Sequence, residues 1–383
     1  MPGNGHLGTR PSARDGPSAA GPGKTRTPGK TMNRSKNAVT LLCCLVALVA
    51  AVPVPAAPSC PALPGNPLPA CLVTPAGWFY ARTAEDAERL AADAALAGEG
   101  FLRHFGRVPA RGAVLAVGTS GGIDEAQRQV LRAAGAQWLL PWLDPDERQA
   151  LRREHLRGAI TRQLGELATP DRVEQALAQA LAASGGQVGA SGVNRGALRH
   201  EIGHLLLISG FWPDALSGPA ADGAQHYGGP GPDWLDEVAA VLLEDPELAR
   251  SRRTALREAR DGAALPPLSG FLAGDHPLRA WALTQAAART AGAERSGETF
   301  VQVVSGEQAR SLADQGAVFY AQARGFADFL ETHGGTSVFG AIATALAGGR
   351  SFDDWLAASG PAHGLPATVD ALEAAWERWL ADE

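Results

Sequence analysis

The chain is short of several things, and each shortage narrows what it can be. Among 383 residues there are two methionines, Met1 and Met32. Residues 1–31 are mostly Pro, Gly, Ser, Thr and basic residues with almost nothing to bury. They read as a disordered leader, or as translation from a start upstream of Met32. Long apolar runs are also scarce. The notable one, Ala38 to Val54, follows Arg34 and Lys36 and ends in Val54-Pro55-Ala56. Positive start, apolar middle and small-residue end make residues 32–56 a secretory signal, with the mature chain beginning near Ala57. A retained membrane anchor is the alternative; Pro53, Pro55 and the short run weigh against it. Ala57-Pro58-Ser59 before Cys60 is a poor lipoprotein signature.

Positive charge is in short supply too. From residue 57 onward, 27 basic residues face 39 acidic ones, a balance of −12 against −6 for the whole chain. This disfavours nucleic acid and anionic membrane surfaces as partners. Of four cysteines only Cys60 and Cys71 lie beyond the signal. In an exported chain they read as one disulfide within a Pro-rich linker, residues 57–76, rather than as metal ligands. No internal repeat and no phosphate-binding glycine motif is present.

What remains is enough for one or two cores, with 45% hydrophobic residues. Gly77 to Tyr80 reads as a strand, and Thr83-Ala84-Glu85-Asp86 as the start of a helix. That helix points Leu90, Ala94, Phe101, Leu102 and Phe105 at a core and stops at Gly106 and Pro109. Ala113 to Val117 is a second strand and Gln137 to Leu143 a third candidate. Asp144-Pro145 and Thr169-Pro170 are helix starts. Helices are predicted downstream at Pro246–Ala259, His276–Ala291, Leu312–His333, Ser337–Ala347 and from Val369 to the end. In that last helix Leu372, Trp376 and Trp379 read as core. The pattern predicts an α+β fold: a small N-terminal α/β lobe, residues 77–193, and a mainly helical lobe, residues 194–383.

The chemistry is concentrated in Arg199-His200-Glu201-Ile202-Gly203-His204. In a helix, histidines four apart share one face and can grip one Zn²⁺ at about 2.0–2.1 Å each. Glu201 is then placed to act as general base on a metal-bound water. Leu198, Leu205 and Ile208 can seat the helix in a core. The chance occurrence of H-E-x-x-H is not rare, so its neighbourhood matters. Leu207 and Gly210 exclude the metzincin continuation. Further on, Asp233 is a predicted N-cap of a helix with Leu235, Val238 and Leu242 as its apolar stripe, and Glu237 lies in it.

Together H-E-x-x-H and Trp234-Leu235-Asp236-Glu237-Val238-Ala239-Ala240 resemble the gluzincin metallopeptidases, in particular the peptidase MA-like branch. There a W-L-x-E-G-x-A helix supplies a glutamate as third ligand. Val238 stands where the family usually has Gly. The strand–helix–strand start, the run Val318 to Leu330 and Ser351 to Leu356 also resemble that branch. The resemblance implies one zinc held by His200, His204 and Glu237, with Glu201 as acid–base. It implies hydrolysis of a peptide or protein substrate. It makes Tyr320 a candidate oxyanion donor, a packed aromatic being the plain alternative. It also suggests a substrate-pairing edge strand at Gly185–Gly192, where a flexible linker fits as well.

Asp236 reads either as support for a ligand or as a solvent-facing cap. His226, in a Gly/Pro-rich loop from Ser209 to Pro232, has three readings: a surface residue, a third or fourth metal ligand, or an oxyanion donor. A fourth protein ligand would make the zinc structural. A weakly active or inactive gluzincin-like binding or scaffold protein is the alternative function.

Overall fold

A computed structural model describes residues 59–117, 122–143, 145–183, 191–216, 229–281 and 306–383. The leader, the signal segment, His226 and residues 185–190 of the Gly185–Gly192 stretch lie outside the described residues. Ser191 and Gly192, at the end of that stretch, already belong to the helix that carries His200.

A four-stranded mixed sheet, in the order β1 (Ala70–Thr74), β2 (Gly77–Ala81), β3 (Gly112–Leu115) and β4 (Trp138–Pro141), sits in a mainly helical chain of the α+β class. β1 runs antiparallel to β2, pairing Cys71 with Tyr80, so the Pro-rich linker ends in a strand rather than staying irregular to residue 76. β2, β3 and β4 are parallel, with Trp78 opposite Ala113 and Ala113 opposite Leu139. Parallel neighbours need a crossover. These are α1 (Ala84–Phe105) and α2 (Glu125–Ala133). The second was not foreseen, although Asp124 and Gln127 close a reciprocal capping box on it.

Side chains alternate across a strand, and here they feed two cores. Trp78, Tyr80, Ala113, Leu115 and Leu139 pack on one side with Leu131 of α2. Phe79, Ala81, Val114, Trp138 and Leu140 join the larger core on the other. α1 lies on this second face, capped by the Thr83 side chain and stopped by Gly106 in the left-handed conformation. Its Leu90, Ala94, Phe101 and Phe105 are buried, but Leu102 points out and is 48% exposed, a correction to the predicted apolar face.

The larger core continues through α5 (Ser191–Phe211), α6 (Asp233–Leu243), α7 (Pro246–Asp261), α8 (Leu268–Ala273), α9 (Gly306–Gly334), α10 (Ser337–Ala347), α11 (Phe352–Ser359) and α12 (Val369–Asp382). α3 (Pro145–Leu164) and α4 (Pro170–Ala183) pack on each other. Residues 277–281 are helical, and the remainder of the predicted 276–291 helix is outside the described residues. Trp234, Phe326 and Trp376 meet edge to face at 5.7 and 6.0 Å between centroids. Each fully buried side chain of this size contributes about 1.5–3 kcal/mol. This core therefore provides a stiff bed for α6, all eleven of whose residues are buried. No helix among the described residues is long and apolar enough to cross a membrane.

Candidate metal centre

α6 carries three acids, Asp233, Asp236 and Glu237, into a buried position, which is costly unless each is paired. α5 supplies the partners of Asp236 and Glu237. The two helices touch backbone to backbone at Gly203: a Cβ there would lie 2.7 Å from the Ala240 Cα and 3.2 Å from the Ala239 oxygen. Gly203 on one helix and Ala239 and Ala240 on the other provide the close approach. Val238, where the resembled family has Gly, fits fully buried.

This approach brings one turn of α6 against the histidine face of α5. His200, His204 and Glu237 offer ligand atoms that all lie within 4.8 Å of one another, in a group that could hold a metal ion. The two Nε2 atoms are 3.3 Å apart. His200 Nε2 is 3.3 Å from Glu237 Oε1, and His204 Nε2 is 4.0 Å from Oε2. Donors at 2.0–2.1 Å around a tetrahedral ion stand about 3.3–3.4 Å apart, so the cluster is within a side-chain adjustment of closing on one.

The outer nitrogens explain why the inner ones converge. Nδ1 of His204 lies 3.0 Å from Asp236 Oδ2 in an ion-pair contact, and Nδ1 of His200 donates to Glu244 Oε1 at 3.0 Å. Carboxylates face both Nδ1 atoms and so keep a proton on each, which leaves the two Nε2 atoms as the inward positions. Once both Nε2 atoms are deprotonated, their lone pairs at 3.3 Å repel unless a cation lies between them. Glu237 Oε1 adds a buried oxygen with no hydrogen-bond donor. Asp236, only 3% exposed and set behind His204, is not a solvent-facing cap.

The charges agree. Around two imidazoles stand Asp236, Glu237 and Glu244 with one guanidinium, Arg252, on Glu244. Burial alone would push His204 down; Asp236, Glu237 and Glu201 outweigh it and hold that ring at about 10. His200 is likewise raised, burial being overcome by Glu237 and Glu244. Burial lifts Glu237 above the usual carboxylate range against the pull of both histidines. A site with this surplus of negative charge favours a positive occupant.

Other residues singled out in the sequence fall as follows. Glu201 is half-buried and close enough to His204 to act on it electrostatically. The Tyr320 ring on α9 stands edge-on to His200 at 5.7 Å between centroids. Asp233 is not the N-cap, a place taken by Pro232 with no side-chain bond. Instead its carboxylate accepts from the His276 backbone N–H at 2.7 Å and from Arg279. Through it, the segment after α8 is pinned to the first turn of α6.

Three residues near the cluster were missed by sequence reasoning: Glu244, Arg252 and His276. Glu244 follows Glu237 by seven, which is two helical turns and the same face, and that spacing was available in the sequence. His276 is buried with its ring 5.4 Å from Tyr320. Its Nδ1 accepts from the Leu278 N–H at 3.2 Å, leaving the proton on Nε2. Burial, with some repulsion from His204 and His200, pushes it down to about 4. Comparison of the chain with protein-family models, with curated proteins and with solved structures gives no match.

Proposed function

We propose that this chain is an exported zinc metallopeptidase of gluzincin type, with His200, His204 and Glu237 as the ligands of one Zn²⁺. The observation that carries the proposal is the pair of carboxylates on the outer nitrogens, Asp236 on His204 and Glu244 on His200. They turn both Nε2 atoms onto Glu237, and H-E-x-x-H sets Glu201 beside the first of them. Two imidazoles and a carboxylate are a donor set of the kind zinc hydrolases use, with a fourth position open. When bound there, zinc supplies Lewis acidity, making water a nucleophile at neutral pH and polarising a peptide carbonyl.

The protein's own residues carry the proton. Glu201 takes it from the attacking water and returns it to the leaving nitrogen. Tyr320, beside His200, donates its O–H to the carbonyl oxygen as charge builds there. His276, neutral near pH 7 and carrying its proton on Nε2, is the second donor available next to that tyrosine. The signal-like segment and the disulfide between Cys60 and Cys71 support export to a periplasmic or extracellular compartment. The partner is a peptide or protein substrate.

Metal analysis and digestion of a mixed peptide library test this, for wild type and Glu201→Gln. About one zinc per chain is expected in both, with turnover lowered roughly 10²–10⁴-fold in the variant. Zinc-loaded wild type that cleaves nothing would make a non-hydrolytic scaffold the better reading. Equal activity of the two forms would remove Glu201 from the mechanism.

A further inference from the structure

Three helices meet at one guanidinium. Glu244 ends α6, Arg252 lies two turns into α7, and Tyr320 is on α9. Arg252 Nε and Nη2 both donate to Glu244 Oε1, at 3.3 and 3.2 Å. Its Cζ lies 4.5 Å from the centroid of the Tyr320 ring. The same Glu244 oxygen accepts from His200 Nδ1 at 3.0 Å. The Tyr320 ring closes the circuit by standing edge-on to His200. His200, Glu244, Arg252 and Tyr320 therefore form a closed ring of contacts around one face of the candidate metal cluster.

From this circuit we infer that Arg252 is a positioning residue that fixes a metal ligand and the proposed oxyanion tyrosine together, while touching neither metal nor substrate. The inference rests on the metallopeptidase reading. The Glu244 side chain is fully buried and puts all its described interactions on one oxygen; Oε2 has no donor. Held by His200 alone, such a carboxylate could rotate about its last bond and release the Nδ1 proton. Two N–H groups from one planar fork fix it. The same plane presents its face to Tyr320, so ring and carboxylate are located against one rigid group. Lysine has the charge but neither the fork nor the face.

The test follows zinc loss from the full-length protein into excess chelator, beside kcat on a peptide substrate. Arg252→Met should release zinc about 10–100-fold faster than wild type. Arg252→Lys should recover part of that retention while kcat stays low. Tyr320→Phe keeps the ring, so it should hold zinc as wild type does and lose kcat. Combined with Glu244→Gln, Arg252→Met should release zinc no faster than the quicker single variant, because both break one link. If Arg252→Met, folded by circular dichroism, releases zinc at the wild-type rate, or if the two changes add, the inference is wrong. Should Arg252→Met not fold, Arg252→Lys decides alone: wild-type release and wild-type kcat together overturn it. Wild type that takes up no zinc would instead sink the metallopeptidase reading itself.

Discussion

Gly203 lies so close to Ala240 that a Cβ added to it would sit 2.7 Å from the Ala240 Cα. One of the two intervening residues of H-E-x-x-H thus sets the spacing between the helix with the histidines and the helix with Glu237. Because the obstacle is backbone, a side chain at 203 must move a helix. Gly203→Val should cost about 1–3 kcal/mol by overpacking and weaken metal binding at least tenfold, since the donors separate. Thermal unfolding and chelator competition check this. Wild-type values in both would show that the helices do not need this contact.

The proposed ligand set makes its own prediction. Glu237→Ala should abolish metal retention, whereas His226→Ala should leave it intact. Asp236→Asn removes the charge behind His204 but keeps an acceptor, so affinity should fall about 10–100-fold without loss of the fold. Metal content after dialysis against graded chelator ranks the three. Retention by Glu237→Ala with loss by His226→Ala would reassign the third ligand.

Much of this was legible in the sequence, and the exceptions have physical causes. α1 carries its own boundaries, a Thr83 cap and a Gly106 stop, and both appear where expected. His200 and His204 are one turn apart, so local geometry alone puts them together. Leu102 follows Phe101 directly, and apolar character at both positions could not say which faced inward. β1 was missed because five residues between prolines show too little alternation; its partner β2 defines it. Asp233 has the composition of a cap, but the helix begins one residue earlier in backbone terms, after Pro232. Arg252 and Tyr320 are 68 positions apart, and only the packing of α7 on α9 brings them together.

Cys60 and Cys71 are joined, which ties the chain before β1 to the edge of the sheet. Closing so short a loop contributes about 2–3 kcal/mol at most. Cys60→Ala with Cys71→Ala should lower the melting temperature while leaving peptide cleavage near the wild-type rate. Non-reducing mass spectrometry of the purified protein should find the linked peptide. Free thiols on both residues would refute the pairing.

The last prediction concerns acid stability away from the metal. His104, in the last turn of α1, is buried with its ring edge-on to Phe339 at 5.6 Å. Burial chiefly, and Arg103 and Arg324 in addition, push it down to about 4 from an ordinary 6.5. Glu331 stands 3.9 Å away and is 36% exposed, too well solvated to compensate. Above pH 6.5 the ring is neutral folded or unfolded and costs nothing. As pH falls from 6.5 to 4 the unfolded chain takes the proton first, so stability declines; below 4 both states are charged and the loss levels off. The full loss is on the order of 3 kcal/mol. His104→Phe keeps an aromatic ring and removes the proton site. Urea unfolding of both proteins in chelator, at pH 7, 5.5 and 4.5, should show a shallower acid decline for the variant. His276 remains in both proteins, so the difference in slope isolates His104. Equal slopes would mean that His104 is protonated within the folded chain.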